Sequence, residues 1–554
     1  VSGINQLKKR LRRVPALRKA VRAYRRVTGR RAAGTYASVP IARELLLTED
    51  TPVRAENKRS GTLDWLPGSR SGDDRAHQIK AFASTTSVNL GGAIDFHVSL
   101  AEPQTYTIAI YRLGYYGGQR GRLVHTSPTL AGVTQPPAVT EPETGMISCA
   151  WSPSWTLSVP ANWTSGLYLA QLTTASGVRT HVPFVVRDDA RAADFLVLLP
   201  FATYQAYNQY PYDGERGKSL YYGYLPDTPE APAKDNGGVF NEIAGGYLSV
   251  TTRARVVSFD RPYARDGVPQ RFDIDQDFIA WAERMGYDLS YASDLDLELG
   301  HLDLSRYRAL VFSGHDEYFS HPMRAACAGA LADGANLAFM TANNIYWHVR
   351  FSPNPQGGPA RQMACYKYED DPDSPCGGTQ QWRQLDDGAQ AEQALLGVQY
   401  NGIVKGRWPL VVANSDHWMW SGTGVTDGTE LPKIVAGEAD GRMSGFPLPA
   451  DIAQTLLSAS PFELRSGKQQ VQNTSLYQTR AGAWMFVAGT FNWPLGLARP
   501  HYADQRLIRA TANLFARLRE EPKPRLADAE TAAQPAAAEP DAAGQHDSGQ
   551  REAG

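Results

Sequence analysis

The chain has 554 residues, 42% hydrophobic and 20% charged, with a formal net charge of −1. That length supports a large core shared among two or three domains, while the balanced charge argues against a whole-protein nucleic-acid binder, which needs a strong positive field to engage phosphates. No uninterrupted run of about 18 apolar residues marks a transmembrane helix and no apolar leader segment marks secretion, so a cytoplasmic location is expected.

The charge is unevenly spread. From Val1 to Arg31 there are twelve Lys or Arg and no acid. Within that stretch Ile4, Leu7, Leu11, Val14, Leu17, Val21 and Tyr24 recur every three or four residues, which predicts a basic amphipathic helix over 1–31. Such a helix makes peripheral contact with an anionic membrane; the other readings are a helix docked on the protein or a partner subunit, or a segment with little order. Residues 32–79 read as a linker. Between 80 and 190 the runs "IDFHVSL", "YTIAIYRL", "WTLSVP", "GLYLAQLTT" and "HVPFVVR" are short, β-rich and separated by turn residues, which predicts a β-sandwich, Ig-like or jelly roll. Its segment "YRLGYYGGQRGR", Tyr111 to Arg122, reads as an exposed recognition loop or as a glycine-rich hairpin with packed tyrosines.

From 191 to 518 the texture changes. "DFLVLLP", "ARVVSF", "RALVFSG", "ANLAFMT" and "PKIVAG" are nearly continuous apolar runs, as in parallel strands buried on both faces. Helical patterns fill gaps between them, in "QDFIAWAERMGY" and in "HPMRAACAGALADG", which Gly334 stops. The expectation is an α/β domain of the doubly wound kind, Rossmann-like or amidotransferase-like. The segment 519–554, acidic and rich in Ala and Pro, reads as a disordered tail. Cys149, Cys327, Cys365 and Cys376 form no zinc ladder. Cys365 and Cys376 are near enough in sequence to pair, and buried free thiols are the other reading.

In open α/β sheets ligands bind beyond the carboxyl ends of strands. Tyr318 lies five residues past Ser313, Tyr346 lies five past Thr341, and "PKIVAG" leads into Glu438. Two phenols and a carboxylate are hard oxygen donors suited to a trivalent cation such as ferric iron, although strand-end tyrosines also simply pack. Asp316 and Glu317 read alternatively as caps for a helix beginning near His321 and Pro322. Asn343 and Asn344 read as turn residues and Arg350 as a loop salt bridge, or all three as groups that orient ligands.

The ordered set "HDEYFS", "NNIYWHVRF", "MACYKYEDDP", "DHWMWSGTGVTDG", "IVAGEADG" and "VAGTFNW", preceded by "YRLGYYGG" and "TYQAYNQYPYDGERGKSLY", resembles the large (beta) subunit of N,N-dimethylformamidase and the family sharing its C-terminal domain, over about residues 80 to 515. The resemblance implies an amidohydrolase of a non-peptide C–N bond, with a mononuclear Fe(III) held by two tyrosines and a glutamate. Carried over by position, those ligands are Tyr318, Tyr346 and Glu438, with Glu430 of "DGTELP" the competing carboxylate. The implied chemistry is polarisation of an amide carbonyl and activation of water. His315, Glu317 and His417 are the candidates for general acid and base, a structural hydrogen bond being the alternative for His417. The implied partners are a small-molecule amide substrate and either a small second subunit or further copies of the chain. Two other classes stay open. One is a noncatalytic binder of a polysaccharide or cell-surface polymer; the other is a metal-free glycoside hydrolase using Glu317 and Glu438 as its carboxylate pair.

Overall fold

The computed structural model describes residues 38–520 apart from 69, 227–238, 244–245 and 374–377. The expected basic helix over 1–31, the tail beyond 520 and Cys376 lie outside the described residues. No helix among the described residues is long and apolar enough to cross a membrane.

Period-two alternation between 80 and 190 yields strands β1 (Lys80–Ala83), β2 (Ser87–Asn89), β3 (Ala93–Ser99), β4 (Thr105–Leu113), β5 (Gly121–Thr126), β6 (Trp155–Ser158), β7 (Gly166–Thr174) and β8 (Arg179–Arg187). They form a three-stranded sheet in the order β1-β3-β6 and a larger one in the order β2-β8-β7-β4-β5. Alternate residues of both sheets share one core: Ile94, Phe96 and Val98 from β3 meet Ile108, Ile110, Leu172 and Phe184. Phe96 and Phe184 cross the interface edge to face at 5.8 Å, a geometry that the ring quadrupoles favour. This strand-rich region fits a β-sandwich. The segment from Tyr111 to Arg122 is a hairpin between β4 and β5 with Tyr111 and Tyr116 buried, so its tyrosines pack and do not form a recognition loop.

Beyond residue 190 come β9 (Ala193–Leu199), α1 (Phe201–Ala206), α2 (Phe272–Met285), β10 (Leu289–Ser293), β11 (Tyr307–Phe312), α3 (His321–Ala332), β12 (Asn336–Phe339), β13 (Gln399–Val411), β14 (Glu430–Gly441), β15 (Ala453–Leu456), β16 (Ser475–Gln478), β17 (Trp484–Val487) and α4 (Gln505–Leu518). The largest sheet has the order β10-β9-β11-β12-β17-β16-β15. Its members from β10 to β17 pair in parallel and the last two antiparallel. Side chains alternate across it: Phe195, Val197 and Leu199 of β9 pack with Phe278 of α2 and Phe515 of α4, whereas Leu196 and Leu198 pack with Met323 and Cys327 of α3.

The expectation of a doubly wound, Rossmann-like or amidotransferase-like α/β domain is corrected by this architecture. Among the described residues strand outweighs helix by 33% to 19%, and the strands are divided among many small sheets. Two of the apolar runs read as parallel strands lie elsewhere. "ARVVSF" pairs antiparallel with Gln362–Ala364, and "PKIVAG" belongs to the long antiparallel ribbon of β13 and β14. Continuous apolarity reports burial, and within the ribbon the run Ile434–Ala436 is buried just as a central parallel strand is. The helix reading near His321 stands with a different cap: the Ser320 hydroxyl accepts from Met323 N, and neither Asp316 nor Glu317 does so. Gly334, at φ 97°, takes the left-handed conformation that ends the helix.

Candidate functional site

The polar cluster gathers where three parts of the chain meet. β11 ends at Phe312 and passes into the loop 313–317; β12 ends at Phe339 and passes into 340–346; α1 follows β9 and ends beside Tyr207. The two loops are tied main chain to main chain, with Ile345 N donating to Asp316 O at 2.8 Å and both Tyr346 N and Trp347 N donating to Glu317 O. Glu317 N in turn donates to Thr203 Oγ1 of α1 at 3.0 Å. Gly314 permits the sharp exit from β11, because a Cβ there would come within 2.4 Å of Asp275 Oδ1.

Glu317 is the hub. Its Oε2 accepts from the Tyr207 hydroxyl at 2.8 Å, its Oε1 accepts from the Tyr221 hydroxyl, and the carboxylate is buried. Trp347 Nε1 donates to the Tyr221 oxygen at 3.1 Å. His315 Nε2 stands 3.5 Å from Glu317 Oε2 and 3.4 Å from Glu438 Oε2, so one ring nitrogen contacts both carboxylates. The same Glu438 oxygen accepts from Asn343 Nδ2 at 2.8 Å. Among the described residues neither ring nitrogen of His315 nor the Asn343 Oδ1 has a hydrogen-bond partner, which leaves buried polar atoms for a bound group to satisfy.

The electrostatics separate the two carboxyls. Burial raises the Glu317 carboxyl, with Glu438 adding to the rise and His315, Lys367 and Tyr221 opposing it. Burial also works against the Glu438 anion, but the His315 imidazole, Arg271 and the Asn343 amide outweigh it and hold this carboxyl below its ordinary range. Burial pushes the phenols of Tyr207 and Tyr221 well above the ordinary tyrosine value, and the Glu317 charge adds to it. Both phenols therefore keep their protons and donate to Glu317.

The residues singled out in the sequence are dispersed around this hub. His315, Glu317 and Glu438 are together. Tyr318 is fully buried and its oxygen accepts from Lys367 Nζ at 3.2 Å. Tyr346 stacks edge to face on Tyr400 at 5.1 Å under the Arg383 guanidinium. Neither phenol hydrogen-bonds to Glu438. Glu430 is exposed at the opposite end of β14, so Glu438 is the carboxylate of that strand which reaches the cluster. His417 caps a short turn by accepting from Met419 N at 3.3 Å and packs on Trp418; no described contact joins it to Glu317 or Glu438. Asn344 bonds back to Thr341, Arg350 pairs with Asp371 at 2.7 Å, and Asp316 is buried with neither carboxyl oxygen hydrogen-bonded. Sequence reasoning missed Tyr207, Tyr221 and Lys367. The signal available for the first two was the density of tyrosine in "TYQAYNQYPYDGERGKSLYY".

The family described as N,N-dimethylformamidase beta subunit-like, C-terminal, matches residues 107–504. The N,N-dimethylformamidase beta subunit of Paracoccus aminophilus is 26% identical over 221 residues, covering 37% of this chain and 29% of the relative. The beta subunit of the same name from an Alcaligenes species is 24% identical over 220 residues, with the same shares. The chain thus matches less than a third of the length of these relatives. Among solved structures, a superoxide reductase from Ignicoccus hospitalis overlaps 20% of this chain and 80% of its own at 12% identity and a TM-score of 0.12, below the level at which folds correspond. With all of the cluster's residues inside the matched span, the chain belongs to the N,N-dimethylformamidase beta subunit-like, C-terminal family.

Proposed function

We propose that the Glu317 cluster is a hydrolytic site for an amide or related C–N bond in a small molecule. The observation that carries this reading is the convergence of two phenols on both oxygens of one buried carboxylate, with an imidazole set between that carboxylate and a second one. Tyr207, Tyr221 and Glu317 offer three oxygen donors within hydrogen-bond reach of one another, and a hard trivalent cation could take the place of the phenolic protons. This set fits a mononuclear Fe(III) by donor chemistry, and we assign it in place of Tyr318, Tyr346 and Glu438. A ferric ion held there would act as a Lewis acid on an amide carbonyl and on water.

The chain's own groups handle the protons. His315 Nε2 is placed to take a proton from water as its oxygen bonds to the carbonyl carbon, and to return it to the amine nitrogen as the C–N bond breaks. Glu438 stabilises the imidazolium formed between those events, and Asn343 Nδ2 fixes the carboxylate that does so. The free Asn343 Oδ1 can accept an N–H of the substrate. Only a small substrate suits a cluster in which Tyr207 is half-buried, Tyr318 and Glu317 are buried and the Glu438 side chain is 11% exposed. The matched relatives are named as beta subunits, which supports a second subunit or self-association for this chain too.

The test is iron content, the visible spectrum and hydrolysis of a panel of small amides by the full chain. About one iron per chain with a phenolate band lost in Tyr221→Phe is the expected result. A colourless, iron-free protein after expression with added iron would overturn the metal assignment. An iron-loaded protein inactive on every amide would overturn the hydrolase reading.

A further inference from the structure

Lys367 occupies a position that ordinary packing does not explain. Its side chain is buried, and among the described residues no carboxylate pairs with it. The ammonium is enclosed by aromatic groups instead. Nζ lies 3.4 Å from the centroid of the Tyr221 ring and 4.3 Å from that of Trp347, and it donates to the Tyr318 oxygen at 3.2 Å. An ammonium removed from water is costly unless other groups replace its hydration. Cation–π contact recovers part of that cost when desolvated.

The backbone is constrained to deliver it. Lys367 has φ of 61°, a left-handed conformation that residues with a Cβ seldom adopt. It is held by Lys367 N donating to Thr379 O at 2.7 Å, by Tyr366 N donating to Thr379 Oγ1 at 2.8 Å and by Arg253 donating to Cys365 O and Tyr366 O. A strained residue that buries an unpaired charge against a site is an observation from which function can be argued.

We propose that Lys367 is a positioning residue that orients Tyr221 and tunes it electronically as an oxygen donor, through an ammonium held on the face of its ring. Tyr318 belongs to the same device, because its hydroxyl fixes Nζ over that ring. Tyr221 is then gripped at three points: the ring face by Lys367, and the oxygen by Trp347 Nε1 and Glu317. The proposal rests on the metal reading of the Glu317 cluster. A cation on the ring face lowers the phenol's π levels, so a phenolate-to-iron charge-transfer band lies at higher energy with Lys367 present than without it.

The experiment compares the band in iron-loaded wild type, Lys367→Met, Lys367→Arg and Tyr318→Phe, each with circular dichroism as a check of fold. Lys367→Met should shift the maximum to longer wavelength, Lys367→Arg should restore it toward the wild-type position, and Tyr318→Phe should shift it the same way by less. Tyr318→Phe removes one oxygen and leaves the packing filled, so it tests the proposal even if Lys367→Met does not fold. Folded iron-loaded variants with the wild-type maximum overturn the role of Lys367 alone. A wild type that takes up no iron and shows no band overturns the metal reading and this proposal with it.

Discussion

Tyr207 and Glu317 are joined by a 2.8 Å hydrogen bond across 110 residues of chain. Tyr221 reaches the other oxygen of the same carboxylate across 96 residues. Tyr207→Phe and Tyr221→Phe should each lower kcat/KM by at least about 100-fold, measured on whichever amide the panel identifies. Tyr346→Phe, whose phenol touches neither carboxylate, should stay within a few-fold of wild type. Equal losses in all three would contradict the assignment of Tyr207 and Tyr221.

His315 stands between two carboxylates and His417 caps a distant turn. His315→Gln should reduce kcat by about 100- to 10,000-fold, while His417→Gln should leave it near the wild-type value and lower thermal stability slightly. The position of the imidazole also bears on the glycosidase alternative. A carboxylate-pair enzyme needs room for the sugar between its two acids, and here His315 Nε2 lies within 3.5 Å of a carboxylate oxygen of each, which disfavours that reading. Turnover of an aryl glycoside by the metal-free protein would reverse this conclusion.

The histidine at 348 gives a pH prediction. Burial lowers it to about 4, His321 and Arg350 add to the fall, and the Gly378 carbonyl and Asp371 oppose it. Its folded pKa is depressed below the unfolded value near 6.5, so the neutral form stabilises the fold above about pH 6.5, and that contribution is lost as pH falls toward 4. Wild type should lose up to about 3 kcal/mol more than His348→Gln over that interval. Chemical denaturation at a series of pH values measures the difference, and parallel curves would contradict it.

Gly437, at φ 73°, precedes Glu438, and a Cβ on it would come within 2.5 Å of Phe491 Cδ2. Phe491 packs edge to face on His315 at 4.6 Å. Gly437→Ala should therefore destabilise the protein by about 1–3 kcal/mol and impair kcat beyond what that loss explains, because it displaces both neighbours of the imidazole. Unchanged kinetics in a folded variant would show that the ring tolerates the shift.

Local pattern made some of this legible and topology hid the rest. "HDEYFS" announced its chemistry because polar residues crowd directly after an apolar strand, and His315 and Glu317 do lie in the cluster. The same logic favoured Tyr318, the phenol nearest in sequence, whose ring meets that of Tyr221 edge to face at 6.5 Å while its oxygen accepts from Lys367. Tyr207 and Tyr221 carry no local mark of their role, because what defines them is a partner 110 and 96 residues away. The sandwich was readable from period two. The ribbon of β13 and β14 was not, since an apolar run such as "PKIVAG" has the same look in a buried ribbon as in a parallel strand.

That ribbon makes the site depend on pairing as well as on composition. Its register shifts between Tyr400 and Gly402, between Ile403 and Arg407 and between Trp408 and Leu410, and these irregularities fix which face of β14 carries Glu438 inward. A one-residue slip of the ladder would turn Gly437 or Ala439 toward His315 and send the carboxylate to the opposite face. A single inserted residue within β14 should therefore silence the protein while every catalytic side chain remains in the sequence. Insertions in the connecting segment 412–429, outside the ladder, should be far better tolerated.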